Sequence, residues 1–271
     1  MKTWFITGAS RGLGRVWAEA ALARGDRVAA TARDVSTLKP LVDRYGETCL
    51  PLRLDVTDRA AAFAAVDQAA GQFGRLDVAI NNAGYGLFGT VEEVTEEQAR
   101  AQLDTNLFGA LWVTQAVLPI MRAQGSGHIL QVSSIGGIVA FPMVGLYNAS
   151  KWALEGLSEA LAQEVAPLGI NVTVIEPGPY RTGWNGPSAV HTTPNPTYEA
   201  AREARRAQLA SRKEEDPETT APAILAVVDA AEPPLRIFLG TFPHGVAEKA
   251  YRDRLATWQQ WRPVGDPASG G

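Results

Sequence analysis

The succession of residue patterns along this 271-residue chain predicts a doubly wound α/β fold, a seven-stranded parallel sheet with helices on both faces. Three observations carry that expectation. Short β-rich runs alternate with longer helix-period runs, a glycine-rich turn follows the first run, and an apolar fraction of 46% suffices for one large core without metal or disulfide staples.

The β-rich runs are residues 3–7, 27–31, 48–54, 76–81, 128–133, 171–176 and 235–239. Helix-period runs lie between them at 13–24, 35–45, 59–73, 96–122, 147–168 and 218–231. This gives a single domain over residues 1–262. Two stretches break the rhythm. Residues 178–200 are rich in Gly, Pro, Asn and Thr and long for a connector, which predicts a lid over a substrate. Residues 263–271 (PVGDPASGG) are small and turn-forming, which predicts a flexible tail.

Net charge is −4 and the 25 basic residues are scattered, so the chain has no footprint for nucleic acid or an anionic membrane. A small-molecule partner is expected instead. Cys49 is the only cysteine, which excludes an internal disulfide and any cysteine-rich metal site; it reads as a buried strand residue in a reducing compartment. The start MKTWFITGAS is too short in apolar residues for a signal peptide, and no run approaches membrane-spanning length, so a cytoplasmic protein is expected.

The first run leads into TGASRGLG, with Gly8, Gly12 and Gly14 at a strand-to-helix turn. Such a turn lets the backbone approach a pyrophosphate and aim amide donors at it from a helix N-terminus. Where the second strand ends, an enzyme selecting NAD would place a carboxylate on the ribose 2′-hydroxyl; this chain has Ala30-Thr31-Ala32-Arg33. Arg33, with Arg11 of the glycine turn, can instead pair with a 2′-phosphate, which favours NADP(H). The alternative is that both arginines are solvated surface charges. Asp55, after the third strand, can accept from an adenine amino group, or Asp55 or Thr57 can cap the following helix.

Tyr147 and Lys151 are four residues apart and share a helix face. A nearby ammonium favours a phenolate, so Lys151 is expected to lower the pKa of Tyr147 toward the neutral range where proton transfer is efficient. Ser133 and Ser134 close one strand, Asn81-Asn82-Ala83-Gly84 closes another, and Asn106 lies within a helix.

With these motifs the chain resembles the main single-domain subfamily of the short-chain dehydrogenases/reductases. The match runs through TGASRGLG, NNAG, the Asn of TNLFG, the Ser of VSS, YNASK and PGPYRT, spanning residues 3–182. The resemblance implies a Rossmann fold and an NADP(H)-dependent oxidoreductase that interconverts a ketone or aldehyde and an alcohol. Its catalytic residues would be Asn106, Ser134, Tyr147 and Lys151, with Ser134 preferred to Ser133 because it stands thirteen residues before the tyrosine. Ser134 would bind the substrate oxygen and Tyr147 would serve as acid/base. Lys151 would also hold the nicotinamide ribose, and Asn106 a water that resupplies protons. The cofactor would lie against Gly8, Ser10, Arg11, Gly12, Leu13 and Gly14, then Arg33, Asp55 and Val56. It would continue along Asn81, Asn82, Ala83 and Gly84 to Tyr147, Lys151, Pro177, Gly178 and Thr182. No metal is implied.

Beyond Thr182 the resemblance fades, and the substrate stays open. Tyr85, Leu87, Phe88, Ile135, Phe141, Met143, Val144, Trp184 and His191 are the candidate pocket residues, a mostly apolar and aromatic set suited to a bulky carbonyl compound, although each could be core. Trp152 is expected inside helix packing. By resemblance the long helices around Asn106 and Tyr147, with Trp112 and Trp152, would pair copies into a homodimer or homotetramer. A nucleotide-binding regulator without chemistry and a lyase of the dehalogenase type are the competing functions; the intact Tyr147 and Lys151 oppose the first, and Gly8, Gly12 and Gly14 the second.

Overall fold

The computed structural model describes residues 1–186, 188–210 and 213–269. The first half runs β1 (Thr3–Ile6), α1 (Gly12–Ala23), β2 (Arg27–Ala32), α2 (Lys39–Tyr45), β3 (Cys49–Arg53), α3 (Arg59–Phe73) and β4 (Val78–Asn81). A short strand β5 (Leu87–Phe88) precedes α4 (Glu96–Leu103), α5 (Gly109–Gln124), β6 (Gly127–Val132) and α6 (Gly145–Val165). The chain ends with β7 (Ile170–Pro177), β8 (Val190–His191), α7 (Glu199–Ala210), α8 (Ala221–Asp229), β9 (Arg236–Leu239) and α9 (Phe242–Gly265).

Seven strands form one parallel sheet in the order β3-β2-β1-β4-β6-β7-β9, as the alternating runs predict. The period-two direction of strand side chains divides the core. Trp4 and Ile6 face α1, α2 and α8, whereas Phe5 faces the opposite cluster built on α3, α5 and α6. Two buried indoles satisfy their N–H groups at a distance in sequence: Trp4 Nε1 donates to Asp26 Oδ2 at 2.9 Å and Trp17 Nε1 to Thr220 Oγ1 at 2.8 Å. Cys49 is buried at the start of β3, and burial pushes its thiol up to about 11.

The strand order reverses between β1 and β4, so the loops leaving their C-terminal ends diverge and open a crevice there. That crevice places the site. A further finding lies on its other flank. The single helix expected over 96–122 is two helices joined by one π-turn, Asp104–Phe108, which carries the buried Asn106. Single π-turns inside helices recur at functional sites because they re-aim one side chain without ending the helix.

The stretch 178–200 holds more structure than a loop. Thr182 caps a short turn at Gly183–Asn185, and β8 pairs in parallel with β5 as a separate ribbon. Glu93 fastens the segment: its carboxylate accepts from Thr192 Oγ1 (3.0 Å), from Asn195 N (2.7 Å) and from the Arg202 guanidinium. The last helix, α9, continues through Pro263 to Gly265 and a short turn follows at Asp266–Ser269, where the residues suggest a turn-forming tail; Gly270 and Gly271 lie outside the described residues. Pro263 sits in the final turns, where it removes one backbone bond without ending the helix. Among the described residues no helix is long and apolar enough to cross a membrane.

Candidate active site

The glycine turn is shaped by backbone demands that only glycine meets. Gly8 and Gly12 adopt φ of 66° and 56°, in the left-handed region. Gly14 sits behind them at a close approach: a Cβ there would come within 2.4 Å of Asn82 Nδ2 and 2.6 Å of the Gly8 carbonyl. Asn82 ties the two diverging loops together, its amide donating to the carbonyls of Thr7 (2.9 Å) and Gly8 (3.1 Å). Thr7, which sequence reasoning left out, accepts the N–H of Asn82 and of Ala83 at 2.9 Å each on its hydroxyl. Helix α1 begins after Arg11 with no side-chain cap and no acidic residue in its first turn, so its N–H groups stay open toward the crevice.

These loops form one end of a cavity of about 740 Å³. Gly8, Ser10, Arg11, Gly12 and Leu13 line it from the glycine turn, and Arg33, Asp55 and Val56 from the ends of β2 and β3. Asn82, Ala83 and Gly84 line it after β4, and Pro177, Gly178 and Thr182 after β7. Arg11 and Arg33 are both exposed. Asp55 does not cap α3; its carboxylate accepts from Thr57 N (3.1 Å) and Thr57 Oγ1 (2.8 Å), while Asp58 caps the helix through Ala61 N (3.0 Å). Asn81 departs from expectation. It is buried inside the sheet, donating to Thr114 Oγ1 (3.0 Å) and Gln131 Oε1 (3.1 Å), because the strand alternation turns it away from the neighbouring Asn82.

The other end of the cavity holds Ser134, Tyr147 and Lys151. Tyr147 and Lys151 lie on the first turns of α6, both buried. Lys151 Nζ donates to the Val132 carbonyl at 2.7 Å and lies 5.9 Å from the centre of the Tyr147 ring. Ser134 Oγ accepts from Gly136 N at 2.9 Å and acts on the Tyr147 phenol, lowering its pKa. Asn106 stands just outside the lining, fixing the Tyr85 backbone on both sides: Oδ1 accepts from Tyr85 N (3.1 Å) and Nδ2 donates to Tyr85 O (3.0 Å) and Ser150 Oγ (3.1 Å). A Cβ on Gly84 would meet Asn106 Oδ1 at 3.1 Å and Lys151 Nζ at 3.6 Å, so these three residues share one small space.

The electrostatics differ from the expectation that Lys151 acidifies the phenol. Burial pushes Tyr147 up to about 12, with the Ser134 hydrogen bond pulling it back, and burial brings Lys151 down to about 8 against the attraction of Glu155. Desolvation therefore outweighs the mutual influence of the pair. One turn below Lys151, Glu155 and Glu176 are buried around Arg236, whose Nε lies 3.2 Å from the first and 3.6 Å from the second. Burial, then repulsion from Glu155, pushes Glu176 up to about 8.

Aromatic packing closes the cavity over Tyr147. Trp184 meets Tyr147 edge-on at 4.9 Å and Phe88 at 5.0 Å between ring centres. Tyr85, Phe88, Ile135, Phe141, Met143, Val144 and Trp184 line the wall, as their positions suggest. Leu87 does not, being fully buried, and His191 stacks on the outside of Phe88 at 5.2 Å, exposed. Trp152 is not in helix packing: it is 41% exposed with the Arg254 guanidinium over its ring. Met143 has φ of 68°, held by Gly89 N donating to its carbonyl at 2.8 Å, a strained bend that keeps the wall against β5. Arg205 and Leu209 from α7 and Phe242 from α9 complete the lining.

The family model described as short chain dehydrogenase matches residues 2–191. The chain belongs to that family. Its activity class is therefore dehydrogenase/reductase, and the parallel sheet with its crevice is a Rossmann fold. It is 45% identical over 269 residues to oxidoreductase BOA17 of Botryotinia fuckeliana, covering 97% of each chain. A solved short-chain dehydrogenase from Streptomyces avermitilis superposes with a TM-score of 0.93 at 38% identity, covering 98% of each chain. Two other similar solved structures carry nucleotides: an alcohol dehydrogenase from Thermococcus sibiricus complexed with 5-hydroxy-NADP (26% identity, TM-score 0.74, 88% and 96% of the chains) and a short-chain dehydrogenase/reductase from Burkholderia phymatum in complex with NAD (25%, 0.82, 94% and 95%).

Proposed function

We propose that this dehydrogenase is an NADP(H)-dependent enzyme that interconverts a ketone or aldehyde and an alcohol, with Tyr147 as the general acid/base. The observation carrying this reading is that Ser134, Tyr147 and Lys151 share one cavity with the glycine turn and the open N-terminus of α1. The dinucleotide, when bound, supplies or accepts the hydride. Gly8, Gly12 and Gly14 give its pyrophosphate room, and Arg11 and Arg33 favour a 2′-phosphate where no carboxylate opposes it.

The chain's own residues then handle the proton. A phenol held up to about 12 keeps its proton across the neutral range, so Tyr147 is ready to donate to an oxygen on which negative charge develops. Ser134, lining the same cavity, donates to that oxygen and holds it in line. Lys151 near 8 is charged at neutral pH and stabilises the phenolate left behind. Asn106, by fixing Tyr85 beside Gly84 and Lys151, keeps open the small space through which water restores the proton. The apolar and aromatic wall suits a bulky carbonyl compound. The enzyme works as a homodimer or homotetramer paired through α6 and α5 with the π-turn that leads into it, where Trp152 and Phe108 stay 41% and 38% exposed on one chain; light scattering of the purified protein reads this directly.

Loss of NADPH absorbance with a panel of aliphatic, aryl and polyketide-like ketones tests the activity. Turnover is expected for bulky members, and kcat falls by about 10²–10⁴ in Tyr147→Phe. Absence of turnover across the panel removes the reading. Arg33→Ala raises KM for NADPH about tenfold and leaves that for NADH unchanged, whereas equal changes for both would assign Arg33 to the solvated surface.

A further inference from the structure

Five charged side chains line the cavity among the described residues: Arg11, Arg33, Asp55, Lys151 and Arg205. The first three stand at the end where the glycine turn and the tips of β2 and β3 converge, and Lys151 lies beside Tyr147. Arg205 alone belongs to the wall opposite, which is otherwise apolar through Phe88, Phe141, Met143, Leu209 and Phe242.

Its place is set by α7. This helix is polar along most of its surface, yet Arg205 and Leu209, four residues apart and so on one face, both reach the cavity. Arg205 Cζ lies 5.4 Å from the centre of the Phe141 ring, and Nη1 donates to Gln208 Oε1 at 2.8 Å one turn along. Phe141 is fixed in turn, since its carbonyl accepts from Asn148 Nδ2 at 2.9 Å on the same helix that carries Tyr147. The cation thus stands against Phe141 and Gln208, on a frame shared with the phenol.

A guanidinium keeps its charge whatever its surroundings, whereas an amine would shed its proton to escape an apolar wall. Beside aromatic rings the local dielectric is low, and the attraction of that fixed charge for an anion exceeds its value in water. A neutral substrate gains nothing from it. A planar carboxylate matches the guanidinium fork.

We propose that Arg205 is the specificity determinant of this cavity, pairing with a carboxylate at the end of an apolar substrate whose carbonyl reaches Tyr147. The preferred substrates are then keto acids, or hydroxy acids in the reverse direction, whose two polar groups are separated by an apolar spacer. This assignment rests on the acid/base reading of Tyr147 given above, but its binding test does not require turnover.

The test compares decanoate with 1-decanol binding to the NADPH-saturated protein, by calorimetry and by quenching of tryptophan fluorescence. Decanoate is expected to bind about tenfold or more tightly than the alcohol. Arg205→Gln erases the preference and Arg205→Lys loses most of it, since an amine there lacks the planar fork and sheds its charge, with NADPH affinity unchanged in both. Equal binding of the two probes to the unaltered protein overturns the proposal without recourse to any variant, as does a preference that survives in Arg205→Gln. Loss of ketone turnover with the anion preference intact would instead sink the oxidoreductase reading alone.

Discussion

The two ends of the cavity are built by opposite means. At the glycine turn, the structure is set by backbone: left-handed Gly8 and Gly12, the close approach at Gly14, and Asn82 and Thr7 stitching β1 to β4 through main-chain partners. At the far end, the wall from Trp184 to Leu209 consists of a two-residue ribbon, short turns and the polar helix α7, held by side chains that converge on Glu93. The first arrangement tolerates almost no change in shape, because main-chain contacts cannot be repacked. The second can be re-lined one side chain at a time. On the proposed reading, a fixed end for the dinucleotide and an adjustable end for the carbonyl compound suit one shared chemistry applied to different substrates.

The sharpest way to break this contrast is at the rigid end. Gly14→Val puts a branched side chain where even a Cβ lies 2.4 Å from Asn82 Nδ2, in contact with backbone that cannot move. NADPH binding is expected to fall by 100-fold or more, about 2.7 kcal/mol, together with a lowered melting temperature. Calorimetric titration with NADPH checks it; retained affinity would show that the turn is not held by its neighbours.

A smaller effect is expected at the adjustable end. Glu93→Gln weakens the anchor for Thr192, Asn195 and Arg202, leaving Arg202 without its buried carboxylate. KM for carbonyl substrates is expected to rise several-fold while NADPH affinity stays constant, which paired steady-state and binding measurements resolve. If NADPH affinity falls equally, the two ends are one rigid unit and the comparison fails.

The smallest effect concerns stability at the junction, where β7 enters the lid. Glu176 titrates near 8 in the folded protein and near 4.5 when unfolded, because burial and Glu155 disfavour its charge. Between those values the unfolded chain releases a proton that the folded chain retains, so this group lowers stability as pH rises from 4.5 and by its full amount above 8. Glu176→Gln is expected to raise the melting temperature by a few degrees at pH 8.5 and to leave it unchanged at pH 4, by thermal melts across that range. An increase of equal size at both pH values would point to packing instead of charge.

The rigid end was legible in the residues for the reason that makes it rigid. Positions that only glycine can occupy, a strand before them and a helix after them leave a pattern in sequence, as do Tyr147 and Lys151 away from that end, which helix geometry alone makes neighbours. The adjustable end was not. Glu199–Ala210 and most of Phe242–Gly265 carry no sustained apolar stripe, so neither α7 nor α9 announces itself by period, and β5 and β8 are too short to alternate. Thr7 was missed because its role is to accept from two residues more than seventy positions away. The depressed acidity of Tyr147 was hidden as well, since burial of its hydroxyl depends on Trp184 folding over it from a distant segment.

The π-turn at Asp104–Phe108 makes one position answer to chain length as well as to residue type. Each residue added to or removed from a helix turns everything beyond it by about 100° and slides it about 1.5 Å. Asn106 bonds both the N–H and the C=O of Tyr85, a fit that such a rotation would abolish. Between the cap at Thr95 and Asn106, an inserted or deleted residue is therefore expected to cost this fit, whereas an exchanged exposed side chain is not.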